Sequence, residues 1–137
     1  MEDQQAPQFI VIDDVPMNNQ ICKVYIKAVL PTADIITFTD PVEGLDYMVT
    51  NYSEPHHSRK TILFLDISMP VLTGWDVLDQ FAAFPRVVQE QFLIYIHSSS
   101  IDQNDIRRAT FHPLVSGFIT KPLMLPQLRE VLEGIFK

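Results

Sequence analysis

Five apolar runs punctuate the chain: Phe9–Ile12, Ile35–Phe38, Thr61–Leu65, Phe92–Ile96 and Val115–Ile119. They are rich in Ile, Val and Phe and bounded by polar or turn residues, the pattern of buried strands. The gaps between their starts hold a crossover helix and two short loops, which predicts a βα unit repeated five times and a parallel sheet. Within the first gap Ile21, Val24, Tyr25, Ala28 and Val29 share one face of a helix. Asp40 precedes Pro41 and Val42 as the N-cap of the second, and Thr73 caps the third, which turns Val77, Leu78 and Phe81 inward. The fourth helix starts near Asp102 and includes Ile106 and Ala109; the last carries Leu128, Val131, Leu132 and Ile135 as its stripe. Asn51–Lys60 is the most polar stretch and reads as a surface loop.

Composition narrows this picture to one α/β domain. A chain of 137 residues, 47% hydrophobic, carries one core but not two, and we expect a domain over residues 6–137 behind a short tail, 1–5. Ten Lys+Arg against seventeen Asp+Glu leave a net charge of −7, which argues against a nucleic-acid surface. The lone Cys22 excludes an internal disulfide and a thiol-rich metal site. The N-terminus lacks a signal-peptide pattern, and no apolar run approaches membrane-spanning length. The expectation is a cytoplasmic protein with no direct nucleic-acid partner and no membrane insertion.

The candidate chemistry follows from the strand assignment, because every strand of a parallel sheet ends on the same edge. Asp13 and Asp14 follow the first strand, Asp66 ends the third, Ser98-Ser99-Ser100 follow the fourth, and Lys121-Pro122 follows the fifth. Three close carboxylates repel one another unless a cation is present, and all-oxygen ligands suit a hard ion such as Mg²⁺. With that charge neutralised, an Asp carboxylate can attack a phosphoryl group while Lys and Ser donors hold its oxygens. The implied chemistry is phosphoryl transfer onto aspartate.

With these residues in place, the chain resembles the receiver domain of two-component response regulators, from about Phe9 to Phe136. The resemblance rests on Val11-Ile12-Asp13-Asp14, on Leu65-Asp66-Ile67-Ser68-Met69-Pro70 with Gly74 beyond, on the serine run, and on Lys121-Pro122. It implies a flavodoxin-like (βα)5 doubly wound fold, strand order 2-1-3-4-5, and phosphorylation of Asp66 by a histidine kinase or a histidine phosphotransfer protein. It further implies that Asp14 binds Mg²⁺ directly and Asp13 largely through water, with Asp66 and the backbone carbonyl of Ser68 completing the set. Ser98 becomes the switch hydroxyl, with Ser99 as fallback because the distance to Lys121 is one residue long; Phe111–Leu114 can absorb that residue. Lys121 pairs with the phosphoryl group, Phe118 takes the aromatic switch position, and the Lys121–Pro122 bond is cis. The small residues Ser68 and Ser100, at positions that tune phosphoryl survival in the family, imply a short lifetime.

Other readings compete at individual residues. One of the serines can cap the fourth helix, Phe118 can be plain half-buried packing, and His97 reads as structural. Cys22 reads as a small core residue and Trp75 as packing. The His56-His57 pair reads as loop rather than metal site, since adjacent residues point apart. A Ser hydrolase would need a Gly-x-Ser-x-Gly elbow and a haloacid-dehalogenase-type phosphatase an Asp-x-Asp nucleophile, and the chain has neither. A pseudo-receiver serving only as a binding module normally loses one of the key residues, whereas all are present here. With no effector segment after Lys137 and a start at Met1, the expectation is a stand-alone receiver. It would act as a relay intermediate or bind a target through Asp102–Arg108, Phe118 and Gln127–Glu130.

Overall fold

The computed structural model describes residues 7–55 and 60–136, apart from the side chains of 135 and 136. The N-terminal tail, His56-His57 and the Ile135 side chain therefore lie outside the described residues. The elements run β1 (Gln8–Ile12), α1 (Pro16–Val29), β2 (Asp34–Phe38), α2 (Pro41–Asn51), β3 (Thr61–Leu65) and α3 (Gly74–Ala82). They continue with α4 (Arg86–Gln89), β4 (Phe92–Ser98), α5 (Gln103–Phe111), β5 (Val115–Thr120) and α6 (Leu125–Phe136). The five strands form one parallel sheet in the order β2-β1-β3-β4-β5, the doubly wound, flavodoxin-like arrangement expected.

Strands β1 and β3 are covered on both faces, which is why their sequences are continuously apolar rather than alternating. On one face Ile10, Ile12, Leu63 and Leu65 pack with Leu45 and Met48 of α2, Val77 and Phe81 of α3, and Ala109 of α5. On the other, Phe9, Val11, Ile62 and Phe64 pack with Cys22 and Ile26 of α1 and Leu128, Val131 and Leu132 of α6. The helix starts lie where expected, since each cap is a local side-chain-to-backbone bond. Asp40 accepts from the Val42 amide at 2.9 Å and Asp102 from that of Asn104 at 2.9 Å. Thr73 and Asp76 form a reciprocal capping box.

Four features depart from the expectation. Helix α1 is rotated: Val24 is 54% exposed and Ala28 is exposed, while Asn19, Cys22 and Ile26 point inward. The cause is Asn19, whose amide donates to the carbonyls of Asp13 at 3.0 Å and Phe38 at 3.4 Å and pins that side of the helix to the sheet. Tyr52, placed by sequence in a surface loop, is buried, its hydroxyl donating to the Gln8 side chain and lying 2.9 Å from the Thr61 hydroxyl. The short α4 is additional; Pro85 lacks an amide hydrogen and sits extended, closing the chain after α3 and opening this single turn. Finally, β4 continues through His97 and Ser98, paired with Ile119 and Thr120. The register jumps at Ser116, so a residue is absorbed as a bulge inside β5.

Gly74 fixes the loop that follows β3. A Cβ there would lie 2.5 Å from the Asp66 carbonyl oxygen and 2.7 Å from the Ile67 Cα, both backbone atoms that cannot step aside. The Gly74 amide instead donates to the Ile67 carbonyl at 3.2 Å. Gly74→Ala should therefore destabilise the fold by about 1–3 kcal/mol, read as a lower urea midpoint with an unchanged slope.

Candidate functional site

The hydrogen-bond ladder runs one residue past β1 and β3. The Asp13 amide donates to the Phe38 carbonyl at 3.1 Å and the Asp66 amide to the Ile12 carbonyl at 3.0 Å. Both aspartates thus stand on rigid backbone at the sheet's C-terminal edge, and both are buried, at 2% and 5% exposure. Asp14 beside them is half-buried. One carboxylate oxygen from each of Asp13, Asp14 and Asp66 lies within 4.8 Å of the others.

Lys121 enters this cluster from the end of β5. Its Nζ lies 2.6 Å from Asp13 Oδ2 and 3.4 Å from Asp66 Oδ2. Its backbone amide donates to the Ser98 carbonyl at 2.9 Å, knitting the ends of β4 and β5 together, and the Lys121–Pro122 bond is cis. The remaining lone pairs have local donors: Asp13 Oδ1 accepts from the Val15 amide at 2.9 Å and the Asn18 side chain at 3.3 Å, and Asp66 Oδ1 from the Ser68 amide at 3.1 Å.

Burial acts on both Lys121 and Asp66. Burial works against the Lys121 ammonium, but its hydrogen bond to Asp13 and the charges of Asp13 and Asp66 outweigh this and hold its pKa above the usual value. Burial pushes the Asp66 carboxyl up, and the neighbouring Asp13 charge adds to this; the Ser68 amide and Lys121 oppose it without cancelling it. The two directions agree with the geometry, because the lysine sits closer to Asp13 and Asp66 is left the under-compensated anion.

The switch candidates sit nearby. Ser98 is fully buried at the end of β4 and its hydroxyl accepts from the Ser100 amide at 3.1 Å, whereas Ser99 is exposed. The Ser100 hydroxyl donates to the Asp105 carboxylate at 2.8 Å and accepts from the Asp102 amide at 3.2 Å, so this serine braces the start of α5. Phe118 is half-buried, three residues before Lys121, against the core face that includes α3 and α5. Ser68 is exposed directly beyond Asp66.

The other singled-out residues have structural surroundings. Cys22 is buried with Sγ 3.7 Å from His97 Nδ1, and burial pushes its thiol up to about 12, which removes it from thiolate chemistry. His97 is buried and burial, assisted by Lys121, pulls its pKa down to about 4, keeping it neutral. Trp75 packs in the seam between α3 and α5, with the Arg108 guanidinium 4.4 Å from its ring and His112 stacked beyond. Asn18 and Asn19, which hold Asp13 by side chain and backbone, were not singled out from sequence; a polar residue on the inward side of α1 was the available signal.

The fold and the residues at its strand ends define a doubly wound α/β domain with an acidic crevice, and sequence comparison identifies the family. The response regulator receiver domain family matches over residues 9–133, and the chain belongs to it. A receiver protein from Dyadobacter fermentans is similar at 27% identity and a TM-score of 0.82, over 96% of this chain and 98% of that one. A two-component response regulator from Cytophaga hutchinsonii is similar in fold, with 21% identity and a TM-score of 0.84, over 97% of this chain and 98% of that one. The phosphorylated cyanobacterial phytochrome response regulator RcpA shares the fold at 20% identity and a TM-score of 0.67, over 94% of this chain and 90% of that one. A search of curated proteins gave no significant match. No helix among the described residues is long and apolar enough to cross a membrane.

The raised Asp66 pKa has a testable sign. A carboxylate that holds its proton more tightly folded than unfolded subtracts from stability once ionised, and the penalty fades as pH falls through the raised pKa. Without divalent ions, Asp66→Asn should therefore melt a few degrees above wild type at neutral pH, with the gap closing as the solution is acidified into the carboxylate range. Parallel thermal melts across pH check both.

Proposed function

We propose that this chain is a two-component phosphoacceptor that takes a phosphoryl group from a phosphohistidine onto Asp66. The observation that carries this reading is the ammonium of Lys121 shared between Asp13 and Asp66, with an oxygen of Asp14 within 4.8 Å of both carboxylates. The residues fit a hard divalent cation: three carboxylates, all oxygen donors, under-neutralised by a single lysine. Asp13, Asp14, Asp66 and the Ser68 backbone carbonyl would hold Mg²⁺, which when bound supplies charge neutralisation for the incoming phosphoryl oxygens.

In the transfer, an Asp66 carboxylate oxygen attacks phosphorus, the P–N bond to the donor imidazole breaks, and the imidazole leaves with a proton from solvent. The product is an acyl phosphate. Lys121 moves from its two carboxylates toward the new phosphoryl oxygens, and the buried Ser98 hydroxyl provides a second donor, with Phe118 following it inward. Return to the starting state is hydrolysis of the acyl phosphate by water. The chain thus works as a signalling phosphoacceptor, loaded by a histidine kinase or a histidine phosphotransfer protein, rather than as an enzyme acting on a separate substrate. A protein target that reads α5, Phe118 and α6, or a further relay partner, receives the signal.

Intact mass after incubation with Mg²⁺ and phosphoramidate, a small P–N donor, tests the proposal. One added phosphoryl group is expected in wild type, none in Asp66→Asn, and none when the metal is chelated. Labelling that survives Asp66→Asn contradicts it. Lifetime gives a further expectation: Ser68 is small and exposed, and Ser100 is committed to Asp105 and the Asp102 amide, so neither covers the phosphoryl group. Label followed after donor removal should decay in minutes, and persistence for many hours would be contrary to this.

A further inference from the structure

We propose that the flank formed by α2, the loop after β3 and α3 is a docking surface for a basic amphipathic helix of a partner protein. A hollow of about 400 Å³ opens there, and its apolar wall is built by Pro41 and Val42 at the start of α2 and by Met69, Pro70, Val71 and Leu72 after β3. Val71 is 92% exposed and Val42 is 51% exposed, although both belong to a side-chain class that folding normally withdraws from water. An apolar side chain entering this hollow would cover both.

Charge selects the kind of chain that brings it. Asp14 and Asp40 line the same hollow. Below it the exposed faces of α2 and α3 carry Glu43, Asp46, Asp76 and Asp79. No Lys or Arg occurs from Asp34 to Pro55 or from Thr61 to Pro85. Lys60 is exposed at the opposite end of β3, and the basic residues of the folded body lie on α1, α4, α5, α6 and at Lys121. The described residues of the flank are thus anionic around an apolar notch, and the Arg108 guanidinium of α5 meets α3 at Trp75.

This combination decides among occupants. A second copy of the chain would present the same anionic flank and be repelled, as would an anionic lipid surface or a nucleic acid. A helix with an apolar stripe bordered by Lys or Arg satisfies both halves of the surface at once: its apolar residue fills the notch and its cations face Asp40, Asp46 and Asp76. The hollow shares Asp14 with the acidic crevice, which places the occupant at the edge of the phosphoacceptor site. The surface stands on its own geometry and does not require that Asp66 be phosphorylated.

The test uses the full unphosphorylated chain in a metal chelator, so its result is independent of Asp66 chemistry. The probe is a fluorescent synthetic helix with Leu on one face and Lys on the other; controls are a scrambled peptide of the same composition and a version with Glu for Lys. Only the amphipathic basic helix should bind, with amide shifts confined to α2, the Met69–Leu72 loop and α3, and with affinity falling as salt rises. Val71→Lys and Asp46→Lys lie on exposed positions that leave the core untouched, and each should weaken binding by about tenfold or more while melting like wild type. Equal affinity of these variants, or shifts centred on α5, β5 and α6, would overturn the proposal. So would equal binding of the scrambled peptide, or a concentration-dependent dimer of the protein that Val71→Lys abolishes, which would assign the face to a second copy.

Discussion

Everything at the functional edge of this domain follows from placing two buried carboxylates and a half-buried third beside one lysine at the C-terminal edge of a parallel sheet. Anions removed from water demand compensation, and Lys121 supplies one positive charge for Asp13, Asp14 and Asp66 together. The lysine takes the shorter contact to Asp13, so the deficit settles on Asp66, whose pKa rises under burial. A carboxylate in that position gains from any ligand that brings positive charge.

The fold exists, in this view, to hold that deficit in place. The backbone ladder extends past β1 and β3 so that Asp13 and Asp66 cannot relax apart, and Asn18 and Asn19 tie the first acidic loop to α1 and to the end of β2. Gly74 lets the chain fold back against the Asp66 carbonyl, and the Thr73–Asp76 box starts α3 immediately after. Ser98 joins the same frame through the Lys121 amide, so the end of β5 feels both the acidic cluster and the start of α5. The seam between α3 and α5, filled by Trp75 against Arg108, gives that helix a second attachment to the side of the sheet that carries Asp66.

The parts legible in the sequence are those governed by short-range rules. Strands β1 and β3 announce themselves because burial on both faces removes every polar residue from them, and the caps at Asp40, Thr73 and Asp102 are bonds between near neighbours in the chain. The order and type of the strand-end residues were enough to bring Asp13, Asp14, Asp66 and Lys121 to one edge. What the sequence hid depends on distant partners. The rotation of α1 is set by the Asn19 amide reaching Phe38, nineteen positions on, which no helical pattern of apolar residues reveals. Tyr52 is buried because Gln8 and Thr61 satisfy its hydroxyl. The bulge at Ser116 is a property of strand pairing, and α4 is too short to show a period.

The uneven sharing of Lys121 is the claim on which the rest stands, and carbon-13 NMR of the labelled Asp66 carboxyl measures it directly. Its titration without metal should lie above that of an ordinary aspartate, and saturating Mg²⁺ should move it well below, since the cation favours the ionised form. An Asp66 carboxyl that titrates at or below the ordinary value in the metal-free protein, and does not move with Mg²⁺, would contradict the account.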